Sequence, residues 1–569
     1  NGMGTTLSLN GLPDDYFIFL ENGKRLYGDD TYARINVAKI KRIEILNGAS
    51  SALYGTNAIG GVINIITDDV KNAINVSSDT RYASKGRFTQ SVNIDVNTGK
   101  FGSYTSYRRQ QAEGWQLNPY EENSKTHELE ETGKVASTGF YANTVNQKFT
   151  FDATDKLSFY ARGGYYDNKT RRPYEAYDYN ILHETFNYGI GAQYMINKGN
   201  YITADCYADH FSSSYCFFKD NKTYNGKAGE EQVRKRTRNH NLSIKGIFKL
   251  GNRHKLSVGT EYIVDVLKSQ TDNIAKEDAY TLALFAQDEI KLLRNLQALI
   301  GVRYIYHENF KNHATPNVAL MYKPGKFNFR ASYAAGFRTP TLSELYATDI
   351  AKKNDRLTIG NLDLKPEKNN YFSLSAEYVH ERFSVSVNAF YNNIRDMIDY
   401  NTIATGDKAM EQYGHKEVRQ RDNIAEAKVH GINVSANAYL GAGFNLSGGY
   451  THLNTQDVEL EQPIDKSIKN AYNINAQWAH SWKIYRLNIN LNGRFNSKRF
   501  SKSYGYAPEY QLWDLNTRHS FNLKSVIIEP GCGMENLFDY MDDRPYNSNY
   551  ATLTPGRSFY ISLSLKFKS

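Results

Sequence analysis

Cysteine is nearly absent: three in 569 residues cannot build a disulfide framework. Cys206 and Cys216 lie on one strand-like stretch, and at roughly 3.3 Å per residue they are too far apart to bridge, so buried free thiols are expected. Long apolar runs are missing too. No stretch approaches the roughly 20 residues of a membrane-spanning helix, and mean hydropathy is −0.62, which excludes a helical membrane protein. A transmembrane barrel is not excluded, because strands that alternate lipid-facing and lumen-facing residues average to a low hydropathy. No Ser/His/Asp arrangement, nucleophile elbow, phosphate loop or metal-spaced Cys/His cluster is found, and the 13 histidines are scattered singly. An enzyme is not expected. No repeat of about 20–50 residues recurs, which removes solenoids and propellers. No signal peptide opens the chain.

What is present is aromatic and alternating. The 44 Tyr, 28 Phe and 4 Trp suit the aromatic girdles of a membrane barrel. In the stretch 559–567 the odd positions are Phe559, Ile561, Leu563, Leu565 and Phe567, and the even ones are Tyr560, Ser562, Ser564 and Lys566. One such face meets hydrocarbon and the other water. The stretch 327–335 repeats the pattern, while in 424–440 the apolar parity switches near His430-Gly431, which predicts a bulge. Short turns such as Asn97–Lys100, Asn197–Asn200 and Leu250–His254 alternate with long polar connections such as Gln111–Ser137, Asn168–Leu182 and Arg338–Lys368. Counting segments gives about 22 strands, the size of a plugged transporter lumen. The fold class is therefore all-β: a 22-stranded antiparallel transmembrane barrel over residues 73–569, preceded by a compact, glycine-hinged segment, 1–72. The net charge of +9 is spread along strands and loops, so it reads as lumen lining and as loops meeting anionic lipid or ligand, with no nucleic acid implied. Its densest run, Asp220–Arg238, holds Lys222, Lys227, Arg234, Lys235, Arg236 and Arg238, of which alternation lets only about half face the lumen.

Three stretches carry a family resemblance. Ile40 to Thr67 runs as a strand, a break at Asn47-Gly48, small residues to Tyr54-Gly55, a Gly60-Gly61 reversal and an apolar strand. Far downstream lie Gly336-Phe337-Arg338-Thr339-Pro340 and Asn361-Leu362-Asp363-Leu364-Lys365-Pro366-Glu367. The first resembles the closing part of the plug domain of TonB-dependent outer-membrane receptors, and the other two resemble the paired boxes of the barrel in the same family.

The resemblance implies a bacterial outer-membrane transporter whose plug fills the barrel. Residues 1–72 are then the C-terminal half of the plug, and no TonB box is seen in them. Its function would be energised import of a scarce, large ligand, an iron chelate (siderophore or haem). Cobalamin stays open, as does a passive porin or adhesin. Implied partners are the TonB energy-coupling complex, the ligand, outer-membrane lipid and lipopolysaccharide; a surface lipoprotein is also admitted. No cofactor is implied. Tyr27, Asp29, Asp30, Tyr32 and Arg34 match an apical plug loop that faces the ligand, with Arg338 and Tyr346 expected above it. Between Thr341 and Gly360 no His is found where haem receptors often carry one, and Tyr346 and Asp349 are the only residues there of iron-ligand character. Tyr32, His127, His313, Tyr413 and His415 in plug or outer loops are weaker axial candidates. The family commonly locks its plug with two plug arginines against two barrel glutamates. Here Arg42 keeps the first place, Asn47 stands in the second, and Ser373 and Asn433 align with the glutamates. Arg42, Glu44, Ser373 and Asn433 are the expected plug–barrel contacts, held largely by neutral hydrogen bonds, with Glu44 partnering Arg42 or another barrel cation.

Overall fold

Strands that run from residue 74 onward must satisfy every backbone N–H and C=O without water if they cross lipid, and only closure achieves that. The computed structural model describes residues 7–37, 40–48, 55, 58–67, 73–123, 126–133, 135–351, 355–502, 505–542 and 554–568. In it, 22 antiparallel strands close into one barrel, the last pairing with the first through Tyr560↔Ala83. After the plug strands β1 (Phe17–Glu21), β2 (Lys24–Arg25), β3 (Ile40–Asn47) and β4 (Gly61–Thr67), the wall opens with β5 (Ile74–Ala83), β6 (Arg87–Asn97), β7 (Phe101–Ala112) and β8 (Gly139–Asp152). It continues as β9 (Leu157–Arg171), β10 (Tyr179–Asn197), β11 (Asn200–Phe217), β12 (Glu231–Leu250), β13 (His254–Ser269), β14 (Ile274–Leu293), β15 (Leu296–His307) and β16 (Lys311–Tyr322). Then come β17 (Phe327–Arg338), β18 (Glu367–Val379), β19 (Phe383–Thr405), β20 (Glu417–Gly441) and β21 (Phe444–Asp457). The barrel ends with β22 (Asn470–Trp482), β23 (Tyr485–Asn496), β24 (Tyr510–Leu523), β25 (Val526–Glu535) and β26 (Ser558–Lys568).

The alternation read in the sequence is the one that faces lipid: Phe559, Ile561, Leu563, Leu565 and Phe567 are all exposed on the outer wall. The switch at His430-Gly431 is not a bulge. Both residues pair regularly with β19 and β21, and the register shifts of β19–β20 lie at Ile394/Met397, Met397/Ile398 and Thr402/Ala404. The parity changes because Ala427 and Val429 turn inward and bury against the plug, whereas Ile432 below them turns outward to lipid. Asn168–Leu182 is also mostly strand, since β9 runs to Arg171 and β10 resumes at Tyr179. The cysteines are free, but Cys206 is exposed and Cys216 half-buried, because Cys206 falls on the outer face between Ile190 and Leu242.

β10, β11 and β12 are 19, 18 and 20 residues long, about twice what a tilted strand needs to cross hydrocarbon. Their upper halves stand clear of the bilayer and wall a vestibule. The long connections, including the helices α1 (Leu342–Tyr346) and α2 (Gly406–Tyr413), all emerge at this end.

Inside sits a four-stranded sheet in the order β2-β1-β4-β3, with β1 and β4 parallel. Asn22 and Gly23 both take positive φ, the mirror-image turn that matches a β-hairpin, and so join β1 to β2. Gly61 sits at φ 142° with Leu46 O only 2.3 Å from where a Cβ would stand, so no side chain fits where β4 crosses β3. The small-residue turn 49–54 lies outside the described residues. One sheet face buries Phe17, Phe19 and Ile65; the other buries Ile18, Leu20 and Val62. Leu12, Tyr16 and Ile59 pack directly on barrel residues Tyr371, Phe390, Ile394, Val429 and Leu453, which seats the plug against β18–β21.

Candidate functional site

The β1–β2 hairpin points away from the loops, and the chain climbs from it along one wall. Ion pairs mark the climb. Glu21 faces Arg162 at 3.6 Å, Lys24 meets Asp205 at 2.5 Å, and Arg34 meets Asp209 at 3.1 and 3.2 Å. At the top Asp30 accepts from His183 at 2.9 Å and from Asn168 at 3.0 Å. The barrel partners all come from β9, β10 and β11. Asp209 is the hub: it also accepts from the Tyr27 backbone N–H at 3.0 Å, while the Arg34 guanidinium donates to the Tyr27 carbonyl. Arg34 and Asp209 side chains are 6% and 0% exposed, so neither charge has water as an alternative partner. Gly28, at φ 78°, lets the backbone lie on the Phe211 ring, 2.8 Å from a would-be Cβ. Burial pushes the Asp30 carboxyl up, but the His183 and Asn168 hydrogen bonds outweigh it and hold the group below the ordinary range.

On the opposite wall a second network reaches into the loops. Arg338 spans two carboxylates, Glu344 through paired 3.0 Å bonds and Glu367 at 2.5 Å. Glu344 closes a capping box with Thr341 that starts α1. Glu367, fully buried, also accepts from the plug's Tyr16 hydroxyl at 3.2 Å and from the Ile398 N–H at 2.9 Å. Plug apex, outer loop and three barrel strands, β17, β18 and β19, thus converge on one charged knot.

The expected ligand residues divide accordingly. Asp29 is exposed at the apex, near Asp14 and Asp15, which are exposed as well. Asp30 is engaged with the wall. Tyr32 packs on Phe19 in the plug core, and Tyr27 lines a cavity of about 420 Å³ between plug and wall rather than the vestibule. Arg34 and Arg338 are buried in ion pairs and do not face the vestibule; their charge satisfies carboxylates inside the protein. Tyr346 packs beside Leu345, Leu364 and Ile398. Among the described residues no group of three or more His, Cys, Asp or Glu converges as a metal site. His127 pairs with Glu122, His415 with Asp355, and His313 stacks on Phe337; Tyr413 packs with Ala409 and Val418.

The expected plug lock is displaced. Arg42 pairs with Glu44 on its own strand at 2.6 Å, with side chains 54% and 37% exposed. Ser373 bonds to Ser332 and Asn433 to Thr451, both within the barrel. Charge is not lost from the plug interface; it has moved to the hairpin and to β9–β11, so the expectation of a largely neutral lock is corrected. Arg42→Ala is accordingly expected to shift unfolding by only about 0–1 kcal/mol in denaturant titration. A loss above about 3 kcal/mol, the scale of a broken buried pair, would restore Arg42 as a lock.

Above the Asp30 contact the same wall turns aromatic and cationic. Alternation that points His183 and Asp209 inward also points Tyr179 and Tyr215 inward, and Arg172, just past the end of β9, reaches over the Tyr179 ring. Tyr179 and Tyr215 stack at 4.1 Å, and Tyr224 meets both edge-on at 5.7 and 5.1 Å. Arg172 lies 5.0 Å over Tyr179, and Arg234 lies 5.2 and 4.9 Å from Tyr215 and Tyr224. Sequence reasoning singled out Arg234 in the run Asp220–Arg238 but missed the rest of this cluster, because its members come from three strands and two loops and no local spacing joins them.

A family model described as "TonB dependent receptor-like, beta-barrel" matches residues 87–528, and one described as "TonB-dependent Receptor Plug Domain" matches residues 1–62. Among solved structures, a mutant of the ferric enterobactin receptor PfeA from Pseudomonas aeruginosa superposes with TM-score 0.83 at 16% identity, over 98% of this chain and 91% of that one. The siderophore receptor PirA from Acinetobacter baumannii gives 0.80 at 16% identity, over 98% and 91%. The FrpB iron transporter from Neisseria meningitidis gives 0.77 at 14% identity, over 100% and 94%. At such identities the likeness speaks for the fold alone.

Proposed function

The chain belongs to the TonB-dependent receptor family, and from that premise we propose that it imports a ferric chelate with anionic, aromatic iron-binding arms across the bacterial outer membrane, energised through TonB. The observation that carries this reading is the vestibule wall of Arg172, Tyr179, Tyr215, Tyr224 and Arg234. Guanidinium groups complement an anionic chelate, and tyrosine faces offer aryl arms a stacking surface that a small hydrated ion cannot use. The site sits over the apex, where the plug is tied to β9 and β10 through Asp30. A chelate resting there is positioned to reach the part of the plug that must move. The structurally similar PfeA is a ferric enterobactin receptor, which supports a ferric chelate as the cargo.

The test is fluorescence quenching of purified receptor by a ferric tris-catecholate, a ferric tris-hydroxamate, haem and cobalamin, each in turn. Saturable quenching by the catecholate is expected, weakened roughly tenfold by Tyr215→Ala or Arg234→Ala. Saturable binding of haem or cobalamin with none of either ferric chelate overturns the reading. So does accumulation of the chelate that continues in cells lacking TonB.

A further inference from the structure

Two of the three vestibule tyrosines are placed by the wall itself, and the third is not. Tyr179 opens β10 and Tyr215 lies near the end of β11, so strand register alone brings their rings together. Tyr224 comes instead from the connection 218–230 between β11 and β12, yet its ring meets the other two at 5.7 and 5.1 Å. A loop side chain keeps such a place only if the loop is stiff, because fixing each free residue costs roughly 1–2 kcal/mol.

The stiffness has an identifiable source. The base of the connection is held by backbone: the Phe218 and Lys219 N–H groups donate to the Asp178 carbonyl at 2.9 and 3.1 Å, and the Phe217 N–H donates to the Glu230 carbonyl at 2.9 Å. The tip hangs on one side-chain amide. Asn221 exchanges backbone hydrogen bonds of 2.8 and 3.0 Å with Gly226, and its Oδ1 accepts from the Tyr224 N–H at 2.9 Å. Its Nδ2 donates to Asp178 Oδ2, on the neighbouring connection, at 2.7 Å. Both ends of the amide are thus engaged, and the two partners together fix its orientation. Asp178 immediately precedes Tyr179, so this clasp ties the turn that carries one ring to the start of the strand that carries another.

The clasp maintains a corner. Tyr179 and Tyr215 lie within 22° of parallel, whereas Tyr224 stands at 90° and 73° to them. Arg234 lies over both Tyr215 and Tyr224, so a displaced Tyr224 would also leave the guanidinium without one of its rings. The arms of a ferric tris-chelate radiate from an octahedral iron in planes steeply inclined to one another. Aryl arms therefore match rings set at an angle better than a flat platform.

On the reading of this vestibule as an aryl-chelate site, we propose that Asp178 and Asn221 are positioning residues: they hold Tyr224 across the stacked pair and so set the preference for aryl over non-aryl ferric chelates. They act through Tyr224 and require no contact with the chelate.

The test compares Asp178→Ala with Asp178→Asn in purified receptor. Both remove the same negative charge from a cationic wall, and only Asp178→Asn keeps an acceptor for Asn221. Charge alone predicts tighter binding of an anionic chelate by both variants; positioning predicts that the two part. By fluorescence quenching, Asp178→Ala should bind a ferric tris-catecholate roughly tenfold more weakly than wild type and a ferric tris-hydroxamate about equally. Asp178→Asn should keep the wild-type preference. Hydrogen exchange without ligand reads the clasp directly: the Asn221, Tyr224 and Gly226 amides should exchange about tenfold faster in Asp178→Ala alone. The Phe218 and Lys219 amides, bonded to a backbone carbonyl, should stay as in wild type. Wild-type exchange at Tyr224 as fast as at the exposed Lys222 overturns the clasp and needs no variant to fold. Equal exchange in Asp178→Ala and wild type overturns it too. Faster exchange with an unchanged catecholate-to-hydroxamate ratio overturns the positioning role and leaves the chelate site standing. A wild type without preference for the catecholate, its exchange pattern as expected, overturns the aryl reading of the vestibule and with it the purpose assigned to the clasp.

Discussion

Arg338→Ala is expected to loosen the outer loop 339–366 and the plug apex together, at a cost of about 3–5 kcal/mol. The reason is what the substitution leaves behind. Glu367 is fully buried and Arg338 is its cationic partner, so after truncation only the Tyr16 hydroxyl and the Ile398 N–H remain for that charge. Glu344 would also lose two hydrogen bonds and keep Thr341 alone. Its carboxyl is pushed up by burial but held below the ordinary range chiefly by the Arg338 charge, so the loop anchor depends on that cation. Hydrogen exchange reads the result locally: amides of 339–366 and of Leu12–Phe17 should exchange roughly two to three orders of magnitude faster. Arg338→Lys should recover only part, because an ammonium cannot fork to two carboxylates as a guanidinium does. The double variant Arg338→Met, Glu367→Gln should be less damaged than Arg338→Ala, since it removes both charges at once. Unchanged exchange in the loop of Arg338→Ala would show the knot to be ornamental.

This knot also shows how far the sequence carries. Arg338 and Glu367 were visible as members of two family boxes, yet their role as each other's buried partner was not, because the boxes lie 29 residues apart and meet only when β17 pairs with β18. Strand alternation and the barrel size follow from local patterns of period two and from the spacing of short turns, so they were legible. The plug lock was not. Which plug charge meets which wall depends on the rotation of the sheet inside the barrel, and Arg34 finds Asp209 across 175 residues of chain. Arg42 illustrates the limit from the other side: a family position keeps its residue while the carboxylate it meets is its own neighbour, Glu44. His430-Gly431 fails for a related reason, since a filled lumen makes the inner face apolar and reverses the usual pattern.

Asp209→Ala is expected to be the most disruptive single change at the plug–wall ladder, again at about 3–5 kcal/mol, because Arg34 would stay buried with no carboxylate. Its neighbours should matter far less. Lys24→Ala leaves Asp205 14% exposed and still accepting from the Tyr160 hydroxyl, and Glu21→Ala leaves Arg162 13% exposed, so water can partly replace the lost partner and each substitution should cost less, about 1–2 kcal/mol. The functional consequence follows from geometry. Asp209 holds both Arg34 and the Tyr27 backbone, so its loss frees the segment between the hairpin and Asp30 from β11. In planar bilayers the Asp209→Ala receptor should show ion-conducting openings without any energy source, whereas Lys24→Ala should stay closed. Asp209→Asn separates charge from shape: it keeps an acceptor for Arg34 and Tyr27 but leaves the guanidinium uncompensated, and should conduct at an intermediate level. Pairing Asp209→Leu with Arg34→Met should close the openings again, because two apolar side chains of similar length need no partner. If Asp209→Ala remains silent while Lys24→Ala conducts, the plug is held at the hairpin and the buried pair above it is not the latch.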